Sequence, residues 1–303
     1  MKRILSSLAI TILLASISTA SFSQPDFSDD PYYSRKLSYE VGTSFGVMNC
    51  LTDLGGGKGD GKKFIKDLNL GNTCPSGTVY YTVSYKNAIA LRTEATWGVV
   101  KANDAVLKNV KESTSGRYER NLSFRSTIFE ASLLAEIHPR FFKHYAKDEK
   151  LPRLSPYAAG GVGYFIFNPR TKYQGAWVDL KPLSTEGQGF KEYPDRKPYK
   201  LKQFNFPVGA GIKYKLTDLI NLSAEFIYRI LNTDYLDDVS TNYIPAALFQ
   251  NYFSGDQLTQ AVALSDRQKE LNPTHTTVVG DIRGNSKKND AYFSFNFKIG
   301  IIF

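Results

Sequence analysis

The C-terminal stretch AYFSFNFKIGIIF (Ala291 to Phe303) decides the fold. Phe293, Phe295, Phe297, Ile299, Ile301 and Phe303 take one set of alternate positions, and Tyr292, Ser294, Asn296, Lys298 and Gly300 fall between them. Only an extended strand separates two such sets onto opposite faces. A soluble sandwich and a membrane barrel both use such strands. In a barrel the apolar face meets lipid and carries aromatics at its rims, which suits a strand that closes on an aromatic residue.

Working outward, the same alternation recurs seven times. It runs from Leu37 to Asn49 (Tyr39, Val41, Phe45 and Val47 against Ser38, Glu40, Gly42, Ser44 and Gly46), then from Thr78 to Lys86 and from Ala88 to Val100, where only the neighbourhood of Asn87 intervenes and predicts a hairpin. Ser126 to Ile137 sets Phe129, Ala131, Leu133 and Ile137 against Glu130, Ser132 and Glu136. Tyr157 to Phe167 carries Gly160, Gly161 and Gly163, which leave its faces unassigned and suggest a bend or close packing. Phe204 to Tyr214, a turn at Thr217 and Asp218, and Asn221 to Asn232 supply two more. The expected fold is all-β: an eight-stranded antiparallel transmembrane barrel, with long extracellular connections and short periplasmic turns. The segment from His138 to Pro156 is a longer periplasmic exception.

At the other end, Lys2 and Arg3 precede an apolar run from Ile4 to Ile17, and small residues follow at Ser21 and Ser23. This reads as a secretory signal over residues 1–23, followed by a periplasmic lead over 24–36 and the barrel over 37–303. No second long apolar run occurs, so a helical membrane protein is excluded; low mean hydropathy does not exclude a barrel, whose signal alternation dilutes. The net charge of +9 falls to +7 without Lys2 and Arg3 (9 − 2). Its cations are spread through loops and strands, which argues against nucleic acid.

An eight-stranded barrel has an interior that side chains fill. The lumen faces carry Glu40, Arg92, Glu94, Glu130, Glu136, Lys213, Glu225, Arg229 and Lys298, both signs together, and should pair into a plug with no open pore. A proton or ion path along these charges is the competing reading. Cys50 and Cys74 flank one loop in a compartment that permits disulfides; a bond between them is the favoured reading and two free thiols the other.

Other motifs lack the company their chemistry needs. GGGKGDGKK (Gly55 to Lys63) nearly matches a phosphate-binding loop, but Lys63 stands where a metal-holding hydroxyl belongs and no helix is evident. His138, His144 and His275 have no metal-ligand spacing and read as surface residues. Asp234, Asp237 and Asp238 lack the glycine and terminal Glu of a calcium loop and read as a structured mouth to the seventh strand. No serine has a nucleophile-elbow context, so no catalytic residue, cofactor or metal is expected.

The loops carry a further signal. LTDLGG (Leu51 to Gly56), FIKDLNL (Phe64 to Leu70), RNLSFRS (Arg120 to Ser126), SPYAAGGVGYFIFNPR (Ser155 to Arg170), WVDLKPLSTEGQG (Trp177 to Gly189), NTDYLDDVSTNY (Asn232 to Tyr243) and an RGN before DAYFSF occur in order. Over nearly the whole mature chain they resemble the PorG-like outer-membrane barrel family of Bacteroidetes. That resemblance implies a non-enzymatic assembly role in type IX protein secretion, in association with the periplasmic ring of PorK and PorN, and no catalytic residues. It also implies contact with the ring through periplasm-facing residues: the lead, the turns at Asn87 and Asp218, and Arg140, Lys143, Lys147, Asp148, Glu149, Lys150 and Arg153. For that last segment a merely solvated loop is the alternative, and for the whole chain a stand-alone barrel, either an anchor or a narrow channel.

Overall fold

Alternation of apolar and polar residues over a dozen positions can be buried only if one face meets lipid or core and the other a closed interior. The computed structural model, which describes residues 36–56, 69–108, 115–143 and 152–303, shows the second arrangement. Its long strands are β1 (Leu37–Leu51), β2 (Cys74–Tyr85), β3 (Ile89–Asn103), β4 (Ser123–Ile137), β5 (Leu154–Ile166), β8 (Lys202–Lys215), β9 (Ile220–Leu231) and β10 (Ala291–Ile302). β6 (Arg170–Tyr173) and β7 (Ala176–Asp179) form a side hairpin attached to β4 at a single register position, Arg125 opposite Arg170. The remaining eight strands pair antiparallel with their sequence neighbours, and β1 with β10 and β3 with β4 complete the ring.

The outward face is apolar. Phe45, Val79, Leu91, Trp97, Phe129, Leu133, Phe204, Ile230 and Phe297 are all exposed in the isolated chain. Aromatic rings mark the rims: Tyr39 stacks between Tyr81 and Phe303 at one end, and Tyr164 meets Phe204 edge-on nearer the other. A closed barrel wearing such a belt is a transmembrane barrel of the bacterial outer membrane.

The tight turns lie at the end that holds the start of β1 and the end of β10. Tyr85 to Ala88 closes with a bond from the Ala88 amide to the Tyr85 carbonyl, and Lys86 and Asn87 both take positive φ (50° and 54°), the conformation a two-residue hairpin requires. At the β8–β9 turn the Thr217 hydroxyl accepts from the Leu219 and Ile220 amides.

The glycines of β5 resolve the face left open by the sequence. Tyr157, Ala159, Gly163 and Phe165 point inward, and Val162, Tyr164 and Ile166 point to lipid. A Cβ on Gly161 would sit 1.9 Å from the Leu133 carbonyl oxygen, and one on Gly163 would sit 2.1 Å from Oδ1 of Asn205. The β4 backbone therefore comes closer to β5 at Gly161 than a side chain allows, and the Asn205 side chain fills the space beside Gly163.

At the opposite end the long connections fold together. Leu54, Leu122, Phe167, Leu180, Leu183, Phe190, Leu236, Val239, Phe249 and Leu264 form one apolar cluster that continues down to Met48, Ile128 and Phe165 inside the barrel. Helix α1 (Ser115–Arg120) lies in the second long loop; α2 (Gly255–Ser265) and α3 (Gln268–Leu271) lie in the fourth. The sequence had suggested no helix; α2 is short and rests its Ala261 and Leu264 against this cluster. The loops thus make a structured cap.

Candidate functional site: the bridged lumen and the locked cap

Because even-numbered positions of β1 to β4, β10 and the matching odd ones of β8 and β9 face inward, nine charged side chains are driven into a narrow space. They meet across it in two layers. In the lower layer Arg92 of β3 pairs with Glu136, lies 3.0 Å from Glu94 and 2.7 Å from Glu225 of β9. Nζ of Lys298 reaches Glu225 at 3.2 Å, and Nζ of Lys213 on β8 reaches Glu40 of β1 at 3.2 Å. Glu40 also accepts from Tyr80 at 2.8 Å and Asn221 at 3.0 Å. Gly42 and Gly300 leave room for this pair, since a Cβ on either would lie within 2.6 Å of the Tyr80 ring or hydroxyl.

In the upper layer Nε of Arg229 on β9 meets Glu130 of β4 at 3.1 Å, and Glu130 accepts from the Tyr292 hydroxyl at 2.5 Å. Tyr292 in turn accepts from Asn205 at 2.7 Å. Bonds between strands that are not neighbours, β3 to β9, β9 to β4 and β8 to β1, bridge the interior from wall to wall. All nine charged residues named from the sequence are thereby brought into these layers.

His138 was expected on the surface and is not there. It is 3% exposed at the periplasmic end of the lumen, with Nε2 3.1 Å from Glu136 and Nδ1 3.2 Å from the Ser155 hydroxyl. The signal was available: Glu130, Ser132, Leu134 and Glu136 face inward, and two more residues of the same alternation reach position 138.

Cys50 and Cys74 are both free, which corrects the favoured disulfide. In the β1–β2 register Cys74 stands opposite Met48, so Cys50 lies two residues further along. Diagonal neighbours sit about 7–8 Å apart, beyond the Cα separation of about 4.4–6.8 Å that a disulfide needs. The Cys50 thiol instead contacts the Lys101 carbonyl and the Cys74 thiol that of Asn72, both at 3.6 Å. Alkylation in denaturant without reductant is expected to modify both cysteines; labelling that appears only after reduction would contradict this arrangement.

The cap is held by two buried arginines that the sequence reading did not single out. Arg120, at the end of α1, donates to Asp104 at 2.8 and 2.9 Å, to the Asp53 carbonyl at 2.8 Å and to the Arg283 carbonyl at 2.5 Å. It ties the first, second and fourth loops together. Arg283 donates to Glu186 at 2.7 Å, to the Asp238 carbonyl and to the Ser265 carbonyl. Glu186, fully buried, also accepts from the Ser240 and Thr241 amides and the Thr241 hydroxyl. Asp53, Arg120, Glu186, Asp238 and Arg283 sit in LTDLGG, RNLSFRS, LSTEGQG, NTDYLDDVSTNY and RGN, so the irregular motifs spread along the chain converge in one polar knot.

The aspartates of NTDYLDDVSTNY are buried in this cap. Asp238 accepts from Thr185 at 2.6 Å and Tyr199 at 2.7 Å; Asp237 accepts from the Leu54 and Val239 amides. Burial pushes the Asp238 carboxyl up to about 6 and that of Asp234 up to about 9. Burial also raises Asp53, Asp237 and Asp290, with neighbouring carboxylates adding to the effect. Among the described residues no three thiol, imidazole or carboxylate groups converge to hold a metal ion.

A carboxyl whose folded value lies above its unfolded one favours folding in its protonated form, so stability is lost as pH rises through the folded value. The cap should therefore lose stability from about pH 4, the unfolded carboxyl value, up to about pH 9, the folded value of Asp234. Limited proteolysis, normalised to an unfolded substrate, is expected to cut the loops faster at the upper end, and Asp234→Asn should flatten the dependence.

Of the periplasmic residues, Arg140, Lys143 and Arg153 are exposed, and Arg140 donates to the Leu154 carbonyl at 2.6 Å. Lys147, Asp148, Glu149 and Lys150 lie outside the described residues, as do His144, the lead before Lys36, residues 1–23 and most of the glycine-rich loop.

No protein-family profile matches the chain, and no curated protein matches its sequence. Solved barrels resemble it at low identity. The outer membrane protein OprG from Pseudomonas aeruginosa is 9% identical over 90% of this chain and 98% of its own, with a TM-score of 0.38. Outer Membrane Protein W of E. coli is 11% identical over 89% and 100%, at 0.36, and the N-terminal barrel domain of P. aeruginosa OprF is 11% identical over 88% and 97%, at 0.33. The barrel assignment itself stands on the strand pairing.

Proposed function

We propose that this small outer-membrane barrel is a non-enzymatic structural and assembly component of a type IX protein secretion machine, exposing rigid surfaces to partners on the ring that lies beneath the membrane. The observation that carries the reading is the closure of the barrel. Cross-lumen pairs join β3 to β9, β9 to β4 and β8 to β1, and a locked cap covers the outer mouth. A barrel so filled offers no route for a solute and acts through its faces. The likeness to PorG-like barrels supplies the particular machine, and the motifs that carry that likeness are those that build the cap's polar knot. PorK- and PorN-like ring proteins are the partners that follow, met through Arg140, Lys143, Arg153 and the neighbouring residues 147–150.

Deleting the gene in its own host tests this. Loss of exported proteins from the medium, restored by the wild-type copy, is the expected result. Unchanged export would leave the protein as a stand-alone barrel.

A further inference from the structure

The outward face of β3 and β4 changes character near the extracellular rim. Trp97 stands opposite Phe129, next come Val99 and Thr127, and then Lys101 opposite Arg125. Arg125 is itself opposite Arg170 of the side hairpin. Three cations thus stand side by side on adjacent strands, and like charges so placed repel. Arg170 has a carboxylate, Asp179, at 2.5 Å. Among the described residues neither Lys101 nor Arg125 has one; Arg125 lies over the Trp177 ring at 5.7 Å, and Lys172 over the same ring at 5.5 Å. Four cations therefore share a single carboxylate.

Level and direction identify what would neutralise them. Lys101 and Arg125 each lie four residues beyond the aromatic pair, about 13 Å along a strand and about 10 Å along the membrane normal after the usual tilt. That is the headgroup zone above the hydrocarbon. The cluster lies on the outward side of β3 and β4: Thr127, between Phe129 and Arg125, is exposed, while Val99 on β3 is covered.

We propose that Lys101, Arg125 and Arg170 form a binding site for the phosphorylated sugar headgroup of an outer-leaflet glycolipid of the lipid A class, with acyl chains lying along Trp97 and Phe129. Arginine forks and a lysine ammonium match phosphate oxygens, and Trp177, held by the β6–β7 hairpin, presents a flat apolar face suited to a sugar ring. The β6–β7 hairpin then acts as a wall of the site.

The test uses the full-length protein folded in detergent micelles, with bis-phosphorylated lipid A, its dephosphorylated form and inorganic phosphate as probes, read by native mass spectrometry. The triple variant Lys101→Gln, Arg125→Gln, Arg170→Gln should bind bis-phosphorylated lipid A at least about tenfold more weakly, the worth of one lost charge-assisted contact. Lys287→Gln with Lys288→Gln, cations in the fourth loop, should bind like wild type. Dephosphorylated lipid A should bind wild type as weakly as the triple variant binds the phosphorylated form. Heat-modifiable migration on gels verifies folding. If the triple variant fails to fold, the single change Arg125→Gln is expected to weaken binding about threefold. Equal binding by wild type and variant, or by both lipid forms, would overturn the site. Full displacement of lipid A by millimolar phosphate would overturn the lipid assignment in favour of a soluble anion.

Discussion

Replacing Arg92 with alanine is expected to lower the unfolding free energy of the barrel by roughly 3–5 kcal/mol, the cost of removing one member of a buried ion cluster. Arg92 is 1% exposed and faces Glu94, Glu136 and Glu225, which without it would repel one another with only Lys213 and Lys298 nearby to offset them. Urea-induced loss of heat-modifiable migration reads the change, with the midpoint moving to lower denaturant. A second substitution separates charge from packing: Arg92→Met with Glu136→Gln and Glu225→Gln removes the repulsion and should recover part of the loss. An Arg92→Ala barrel as stable as wild type would mean that water already screens this cluster, and the lumen would not be bridged as described.

The second large effect belongs to the cap. Glu186→Ala leaves Arg283 buried without its carboxylate and strips the Ser240 and Thr241 amides of their acceptor. The cap should lose roughly 3–5 kcal/mol while the barrel below keeps its folded migration. Proteolytic cleavage within residues 232–290 should appear in the intact barrel, since the loops would open as a unit. Glu186→Gln with Arg283→Met, which removes both charges, should restore much of the protection. If Glu186→Ala instead unfolds the barrel as well, cap and barrel are one cooperative unit.

These two sites differ in how far the sequence discloses them. Arg92 and Glu225 were visible because alternation along a strand dictates direction, and a closed barrel has only one inside. His138 obeyed the same alternation but sat one residue past the boundary assigned to its strand. Val99 marks the opposite end of that logic: it continues the outward set of Leu91, Ala95 and Trp97, yet it is 4% exposed. Loops have no such period. Arg120, Glu186 and Arg283 lie far apart in sequence and meet only because the first, second, third and fourth loops fold on one another, so nothing local announces their pairing. The cysteines show a different limit. Proximity along the chain suggested a bond, and a register offset of two residues decides against it.

The cap also gives the pH and thiol expectations a common origin. Packing Leu54, Leu236 and Val239 over the mouth removes water from Asp234, Asp237 and Asp290 and from Cys50. The aspartates answer by holding protons, and the thiol stays inert among neighbours that offer no partner sulfur. Both follow from the same burial.

The assembly role is tested most directly by affinity purification of the tagged barrel, expressed at its native level, from membranes solubilised under conditions that keep the periplasmic ring intact. Mass spectrometry should then recover the ring lipoprotein and its partner, with crosslinks mapping to the segment that contains Arg140, Lys143 and Arg153. A barrel that comes down alone while the ring is shown to survive in the same extract would contradict the role.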